Sequence, residues 1–300
     1  MKVRASARDD IHGWVVLDKP AGMTSTHAVS RLKRIFNAKK AGHAGTLDPL
    51  ATGVLPVAFG EATKTVPFVQ DGEKAYRFTV RWGTETDTDD SDGRVAAQSG
   101  ARPVADAIRA LLPRFTGKIL QLPPSYSAIK INGERAYDLA RAGAAPVLSP
   151  RPATVHSLDL IDAERDEAVF EARCGKGTYV RALARDLGRH LGCYGHVSAL
   201  RRTRVGPFHE MDAVLLPDLD GDASRAKALR RVEAGLMDVP RVVVDLSAAA
   251  KLRRGQSILL RGHDAPLDGI AYAACCGVVI AVGAVEKGEL IPGRVFNLPL

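Results

Sequence analysis

The stretch AGHAGTLDPLATGVL, residues 41–55, constrains its own backbone more tightly than any other part of the chain. Gly42 and Gly45 precede Asp48, and Pro49 follows it directly. A residue ahead of proline is pushed out of the helical region, and glycine admits backbone shapes that other residues resist. No helix or regular strand is expected to run through this string, which is predicted to hold one carboxylate, Asp48, at a fixed place. An isolated Asp-Pro is ordinarily just a turn. The meaning of this one therefore depends on what the rest of the chain supplies.

Periodicity places elements on either side of it. GWVVLD, residues 13–18, reads as a strand ending at Lys19-Pro20. Residues 26–36 read as a helix with Ala28, Val29, Leu32, Ile35 and Phe36 on one face and Ser25 as its cap. Residues 75–82 alternate: Tyr76, Phe78, Val80 and Trp82 share one face, and Arg77, Thr79 and Arg81 the other. A short helix is predicted over 103–112, with Val104, Ile108, Leu111 and Leu112 apolar, and strands over 153–162 and 167–174. Strands and helices mix without regular βαβ alternation, which argues an α+β fold. Beyond about residue 210 a connecting segment leads to short β-like runs from about 245, the mark of a small β-rich C-terminal module.

Two segments read as loops. TETDTDDSDG, 84–93, carries five acids and no base, but its glycine falls one place late for a calcium loop and no glutamate closes it. Residues 121–152 are rich in proline and glycine and suit an excursion from the body of the domain.

Candidate chemistry narrows by exclusion. The chain has no G-x-x-x-x-G-K-[ST], H-E-x-x-H, G-x-S-x-G or dinucleotide fingerprint. Neither a cofactor nor a metal is expected. The four cysteines, Cys174, Cys193, Cys275 and Cys276, form no C-x-x-C and read as reduced thiols. The charged N-terminus lacks a signal-peptide core and no apolar run reaches membrane-spanning length, so a cytoplasmic protein is expected.

The formal net charge of +8 favours a polyanionic partner. Residues 171–210 concentrate it, with eight Lys/Arg against three Asp/Glu, which suggests a phosphate-tracking surface. Within CGKGTYVRALARDLG, 174–188, Val180, Leu183, Ala184 and Leu187 lie on one helical face, with Leu191 beyond it. Arg181, Arg185 and Arg189 form a second stripe. Arg185 and Arg189 read as solvated; Arg181 follows Gly175, Gly177 and Tyr179 at the helix mouth, where an arginine can hold an anionic group. From the residues alone the chain is a nucleic-acid-binding α+β protein with one presented acid. Tyr76 reads as core or as a stacking partner for a base, and His43 as a turn histidine.

Long motifs then carry a resemblance. LDKPAGMTS (17–25), AGHAGTLDPLATGVLPVAFGEATK (41–64), KAYRF (74–78), PPSYSAIKINGERAYDLARAG (123–143), GTYVRALARDLG (177–188) and LRRTRVGPF (200–208) occur in the order found in TruB-type tRNA pseudouridine-55 synthases, which residues 11–210 resemble almost without interruption. GELIPGRVF (288–296) is similar, over a shorter span, to the end of that family's PUA-type RNA-binding module.

The resemblance implies a catalytic domain over 1–240 with a mixed, largely antiparallel sheet flanked by helices, a thumb-like insertion over about 121–152, and a PUA-like domain over 241–300. It implies that Asp48 is the catalytic aspartate, that Tyr76 stacks on the target base and that Arg181 pairs with Asp48. Tyr179 and Leu200 would line the uracil pocket, Lys19 would support it, and His43 would fill the space vacated by the flipped nucleotide. The implied activity is isomerisation of uridine-55 in the T loop of tRNA; no membrane is expected, no protein partner is evident in the sequence, and a monomer is expected. A non-catalytic RNA-binding protein or tRNA-folding chaperone is the alternative, and the Asp48, Tyr76 and Arg181 set is what distinguishes the two.

Overall fold

A computed structural model describes residues 8–127, 130–131, 134–135, 148–260 and 266–300. Half of the proposed insertion, 121–152, therefore lies outside the described residues. The chain begins with β1 (Gly13–Lys19), α1 (Ser25–Ile35), β2 (Ala41–His43), β3 (Thr52–Phe59), α2 (Val66–Asp71) and β4 (Lys74–Trp82). There follow β5 (Thr84–Thr86), β6 (Val95–Gln98), α3 (Ala105–Leu111), β7 (Gly117–Gln121), β8 (Lys130–Ile131) and β9 (Glu134–Arg135). Next are β10 (Arg151–Ala163), β11 (Glu167–Cys174), α4 (Val180–His190), β12 (Gly195–Val205), β13 (Phe208–His209) and α5 (Asp222–Ala228). The last elements are β14 (Arg241–Val243), α6 (Leu246–Arg253), β15 (Ile258–Leu259), β16 (Gly269–Cys275), β17 (Val278–Glu286) and β18 (Glu289–Val295).

Among the described residues, nine strands build the main sheet in the order β1-β3-β12-β4-β11-β10-β7, with β2 added to β3 and β13 to β12. Every pairing is antiparallel except β12 with β3. The α+β class read from the sequence holds. β1 and β3 are buried on both faces: Val15, Leu17, Leu55 and Val57 enter one core, and Trp14, Val16, Val54 and Ala58 the other. That is why both strands read as unbroken apolar runs, whereas β4, with Arg77 and Arg81 exposed, alternates.

The second core joins the sheet to the C-terminal module, where Tyr272, Val279, Val282 and Phe296 meet Trp14 and Phe208. Polar ties reinforce it: Lys64 Nζ donates to Val295 O at 2.7 Å, and Asn297 N to Glu61 at 2.7 Å. The module itself is a five-stranded sheet, β14-β16-β17-β18-β15. No helix among the described residues is long and apolar enough to cross a membrane.

Three local expectations change. The cap of α1 is Thr24, whose side chain accepts from His27 N, and Ser25 is buried inside the first turn. Val104 is exposed, because α3 starts only at Ala105. The string 41–55 is not loop throughout: β2 and β3 enter it from both ends, leaving 44–51 irregular.

Candidate active site

The irregular segment 44–51 holds Asp48 because its backbone groups find partners outside regular structure, as enclosed peptide groups must. Ser25 Oγ accepts from Leu47 N at 2.8 Å and donates to Leu47 O at 2.9 Å. Beneath the segment lies Lys19, fully buried at the end of β1, whose Nζ donates to Pro20 O and Met23 O at 2.8 Å and to Pro49 O at 3.2 Å. Arg202 of β12 donates to Val54 O at 2.8 Å, Thr46 O at 3.1 Å and Gly45 O at 3.2 Å. Gly53 has φ 99°, and a Cβ there would fall 2.2 Å from Arg202 O, so this crossing of β3 and β12 requires glycine.

Above the segment runs α4. Its first turn carries Arg181, with its side chain 6% exposed. The guanidinium uses all three nitrogens: Nε to Asp48 Oδ2 at 2.8 Å, one terminal nitrogen to Thr88 O at 2.9 Å, the other to Tyr126 O at 2.9 Å. One arginine thus joins the Asp48 segment, the acidic loop and the first part of the insertion. Gln121, at the end of β7, fixes the helix mouth by accepting from Tyr179 N at 3.0 Å and donating to Tyr179 O at 3.2 Å.

A cleft of about 570 Å³ opens between these parts. Asp48, Tyr76, Tyr179, Arg181 and Leu200 all line it, together with Lys74 and Arg202. Tyr76 on β4 stands opposite Arg202 on β12. Burial raises the pKa of the Tyr76 phenol and the Arg202 charge opposes this, while burial likewise raises that of Tyr179. Two other predicted residues sit apart from the cleft wall. Lys19 lies below the segment, and burial brings its amine down to about 8. His43 ends β2 opposite Val57, and burial followed by the Arg202 charge lowers its pKa.

Three features escaped the sequence reading. Arg185 is 5% exposed, not solvated: it donates to Asp89 at 2.9 Å, Asp186 at 2.8 Å and Leu122 O at 2.7 Å. Arg189 is half exposed but forms a two-point pair with Glu85. The acidic loop is thus the counter-charge to the arginine stripe of α4. Burial, outweighing Arg185, lifts Asp89 to about 6, and burial also raises Asp90. The basic stretch 171–210 is correspondingly not a run of unpaired charge, although Lys176, Arg173 and Arg189 remain about half exposed or more. Seven of its eight cations face a carboxylate, and the eighth, Arg202, is buried against carbonyls. Lys74 is the third feature: it donates to Gln70 O and Gly72 O in the cleft wall, and burial brings it to about 8. Its place before Tyr76 on a regular strand gave no sign of this.

Comparison with known proteins agrees with this architecture. The model of the TruB family pseudouridylate synthase N-terminal domain matches residues 33–180, and that of the tRNA pseudouridylate synthase B C-terminal domain matches 181–268. The chain is 62% identical over 299 residues to tRNA pseudouridine synthase B of Rhodopseudomonas palustris, covering 96% of this chain and 82% of that one. It is 54% identical over 297 residues to the protein of the same name from Rhizobium meliloti, covering 95% and 96%. Among solved structures, a chain of an H/ACA RNP bound to a substrate RNA containing 2′-deoxyuridine superposes with TM-score 0.75 at 25% identity, covering 96% of this chain and 86% of that one. A chain of a Cbf5-Nop10-Gar1 complex gives 0.73 at 27%, covering 95% and 84%.

Proposed function

The chain belongs to the TruB family of pseudouridylate synthases, and from that premise we infer that it converts uridine-55 in the T loop of tRNA to pseudouridine, with Asp48 as the nucleophile. Membership carries the coarser statement, a tRNA pseudouridine synthase. The finer one rests on a single observation: Asp48 is presented on a braced irregular segment, in a cleft, with Arg181 Nε on one carboxylate oxygen at 2.8 Å.

The reaction breaks the bond from C1′ to N1, turns the uracil and joins C1′ to C5. N1 ends protonated and C5 gives up its hydrogen, so atoms balance without an external reactant. A nucleophilic carboxylate must be ionised, and Arg181 Nε donates to Asp48 Oδ2 at 2.8 Å. Flipping the base from a folded loop costs a few kcal/mol. Stacking on Tyr76 offsets part of this, at about 1–3 kcal/mol per base. Tyr179 and Leu200 bound the space beside Tyr76 and are read as uracil-pocket residues. Lys19 braces the Asp48 segment from below. His43 is read as the residue that replaces the flipped nucleotide in the RNA.

The domain reading is a catalytic part over 1–240 and a PUA-like RNA-binding part over 241–300, acting as a cytoplasmic monomer on the T arm. Binding alone, as in a tRNA chaperone, has no need of the Asp48–Arg181 pair. The test is tritium release from C5-tritiated uridine in a tRNA transcript. Wild type should release tritium, Asp48→Asn should not while keeping tRNA affinity within a few-fold, and a transcript with uridine-55 replaced should be inert. Tight binding without release by wild type would return the chain to the binding-protein reading.

A further inference from the structure

Among the described residues a further cluster of reactive side chains lies at the tip of the C-terminal sheet, away from the catalytic cleft. β16 ends at Cys275 and β17 begins at Val278, and these two residues pair across the hairpin. Cys276 and Gly277 are therefore a two-residue loop. Both have left-handed backbones, with φ 50° and 78°, the requirement of a type I′ turn. Such turns favour Asn or Asp before the glycine. Cysteine at φ 50° gains nothing from that position and bears a cost of about 1–2 kcal/mol.

What the turn achieves is a pairing of thiols. The two sulfurs lie 3.9 Å apart. Cys275 is 2% exposed within the core of the module, whereas Cys276 is exposed. The remaining cysteines, Cys174 and Cys193, are buried in the main domain. The loop is also anchored: Arg231 donates to Gly277 O, which ties the turn to the segment leading from the main sheet. An open thiol thus stands beside a sheltered one on a backbone already fixed by two strands.

We propose that Cys275 and Cys276 form a two-thiol chelating site for thiophilic trivalent centres of the arsenic(III) class. With an organoarsenic oxide the step balances simply. Two S–H bonds and the arsenic–oxygen bond break, two As–S bonds form, and the oxygen leaves as water. Arsenic stays trivalent, so no oxidant or reductant takes part. Cys276 meets the reagent first because it faces solvent, and Cys275 closes the ring. Soft centres select thiolate ligands, and the second thiol acts at the high effective concentration of a tethered partner.

The experiment uses the full chain, fully reduced, with phenylarsine oxide as the probe and intact mass as the readout. Wild type should take up one phenylarsenic group in place of two thiol hydrogens at stoichiometric reagent. The adduct should withstand excess glutathione and be stripped by 2,3-dimercaptopropanol. Cys276→Ser and Cys275→Ala should each weaken retention by roughly 10²-fold or more, the loss of the tethered second thiol. A Cys174→Ala, Cys193→Ala double variant should match wild type. Uptake that persists in Cys276→Ser, an exposed site where folding is not at risk, would overturn the assignment. So would an adduct that glutathione displaces, or no uptake at all.

Discussion

Arg181→Lys separates charge from geometry in the candidate site. Lysine keeps the positive charge and most of the Coulomb attraction to Asp48, but it offers one nitrogen where arginine offers three in a rigid fork. Those three now reach Asp48, Thr88 O and Tyr126 O at 2.8–2.9 Å in different directions. An ammonium also has three N–H groups, but they radiate from one nitrogen, so up to two of these three separated acceptors lose their donor. Hydrogen bonds from a charged donor contribute about 1.5–3 kcal/mol each, so two losses set a ceiling of about 3–6 kcal/mol. Water can reach the Asp48 side, whose carboxylate is 34% exposed, and recovers part of this. The expected net loss is about 2–4 kcal/mol, or a fall in Tm of roughly 4–10 °C for a domain of this size. Turnover should fall further than stability implies, because a displacement of about 1 Å at a reacting group can cost about 10²-fold. Differential scanning fluorimetry and single-turnover tritium release on the same preparation give both numbers. Wild-type Tm with wild-type turnover would refute the fork argument and leave charge as the whole role of Arg181. A lowered Tm with unchanged turnover would make the fork a structural tie only.

Gly188→Ala should destabilise, against the usual gain of about 1 kcal/mol for alanine inside a helix, because its Cβ would fall 2.3 Å from Gly195 N and 2.4 Å from Tyr194 C. A Tm lower by several degrees is expected, and an equal or higher Tm would contradict the contact. Asp89→Asn should compare better with wild type as pH rises. An acid lifted from 3.8 to about 6 binds its proton more tightly folded than unfolded, so its ionisation removes stability across that interval, by roughly 1–3 kcal/mol. The Tm difference, variant minus wild type, should therefore grow between pH 5 and pH 7.5, and a pH-independent difference would show that burial does not govern Asp89. Tyr76→Leu should cut turnover strongly while the chain stays folded, since leucine keeps apolar bulk but not the stacking face; near-normal turnover would return Tyr76 to the core.

How much of this was legible in the sequence depends on distance along the chain. β4 and α4 announce themselves because periodicity is local: Phe78, Val80 and Trp82 are buried and Arg77 and Arg81 exposed within one short run. Asp48 stood out because Gly45 and Pro49 are its near neighbours. Arg185 was misread because its partner acid, Asp89, lies 96 positions away, and no local pattern distinguishes an arginine facing water from one facing a buried carboxylate. The same applies to LRRTRVGPF. Arg201 pairs with Asp18 and Glu210, and Arg202, next to it, disappears beneath the Asp48 segment. A run of bases predicts charge density but not which charges remain open. The cap of α1 slipped by one because Thr24 and Ser25 are both good caps; Leu47, on a different segment, takes the Ser25 hydroxyl and leaves Thr24 to the helix.

The way the Asp48 segment is braced also sets how its variants can be interpreted. An irregular stretch with enclosed carbonyls needs donors, and here the donors are cations. Lys19 and Arg202 together bond Pro20, Met23, Pro49, Gly45, Thr46 and Val54 carbonyls. The groups that hold the segment in shape therefore also place two positive charges beneath Asp48, in addition to Arg181 above it. Neutralising Lys19 removes a structural donor and an electrostatic partner at once, so a drop in turnover would not by itself assign Lys19 a part in the chemistry. The two contributions separate with temperature and charge. A loss that follows unfolding of the segment tracks Tm and recovers at low temperature, whereas a loss of field persists wherever the segment is intact. Because both cations are tied to backbone carbonyls, Arg202 in the cleft wall and Lys19 below it, their field on Asp48 stays in place when RNA phosphates enter, which a cation on the open surface could not ensure once it re-paired.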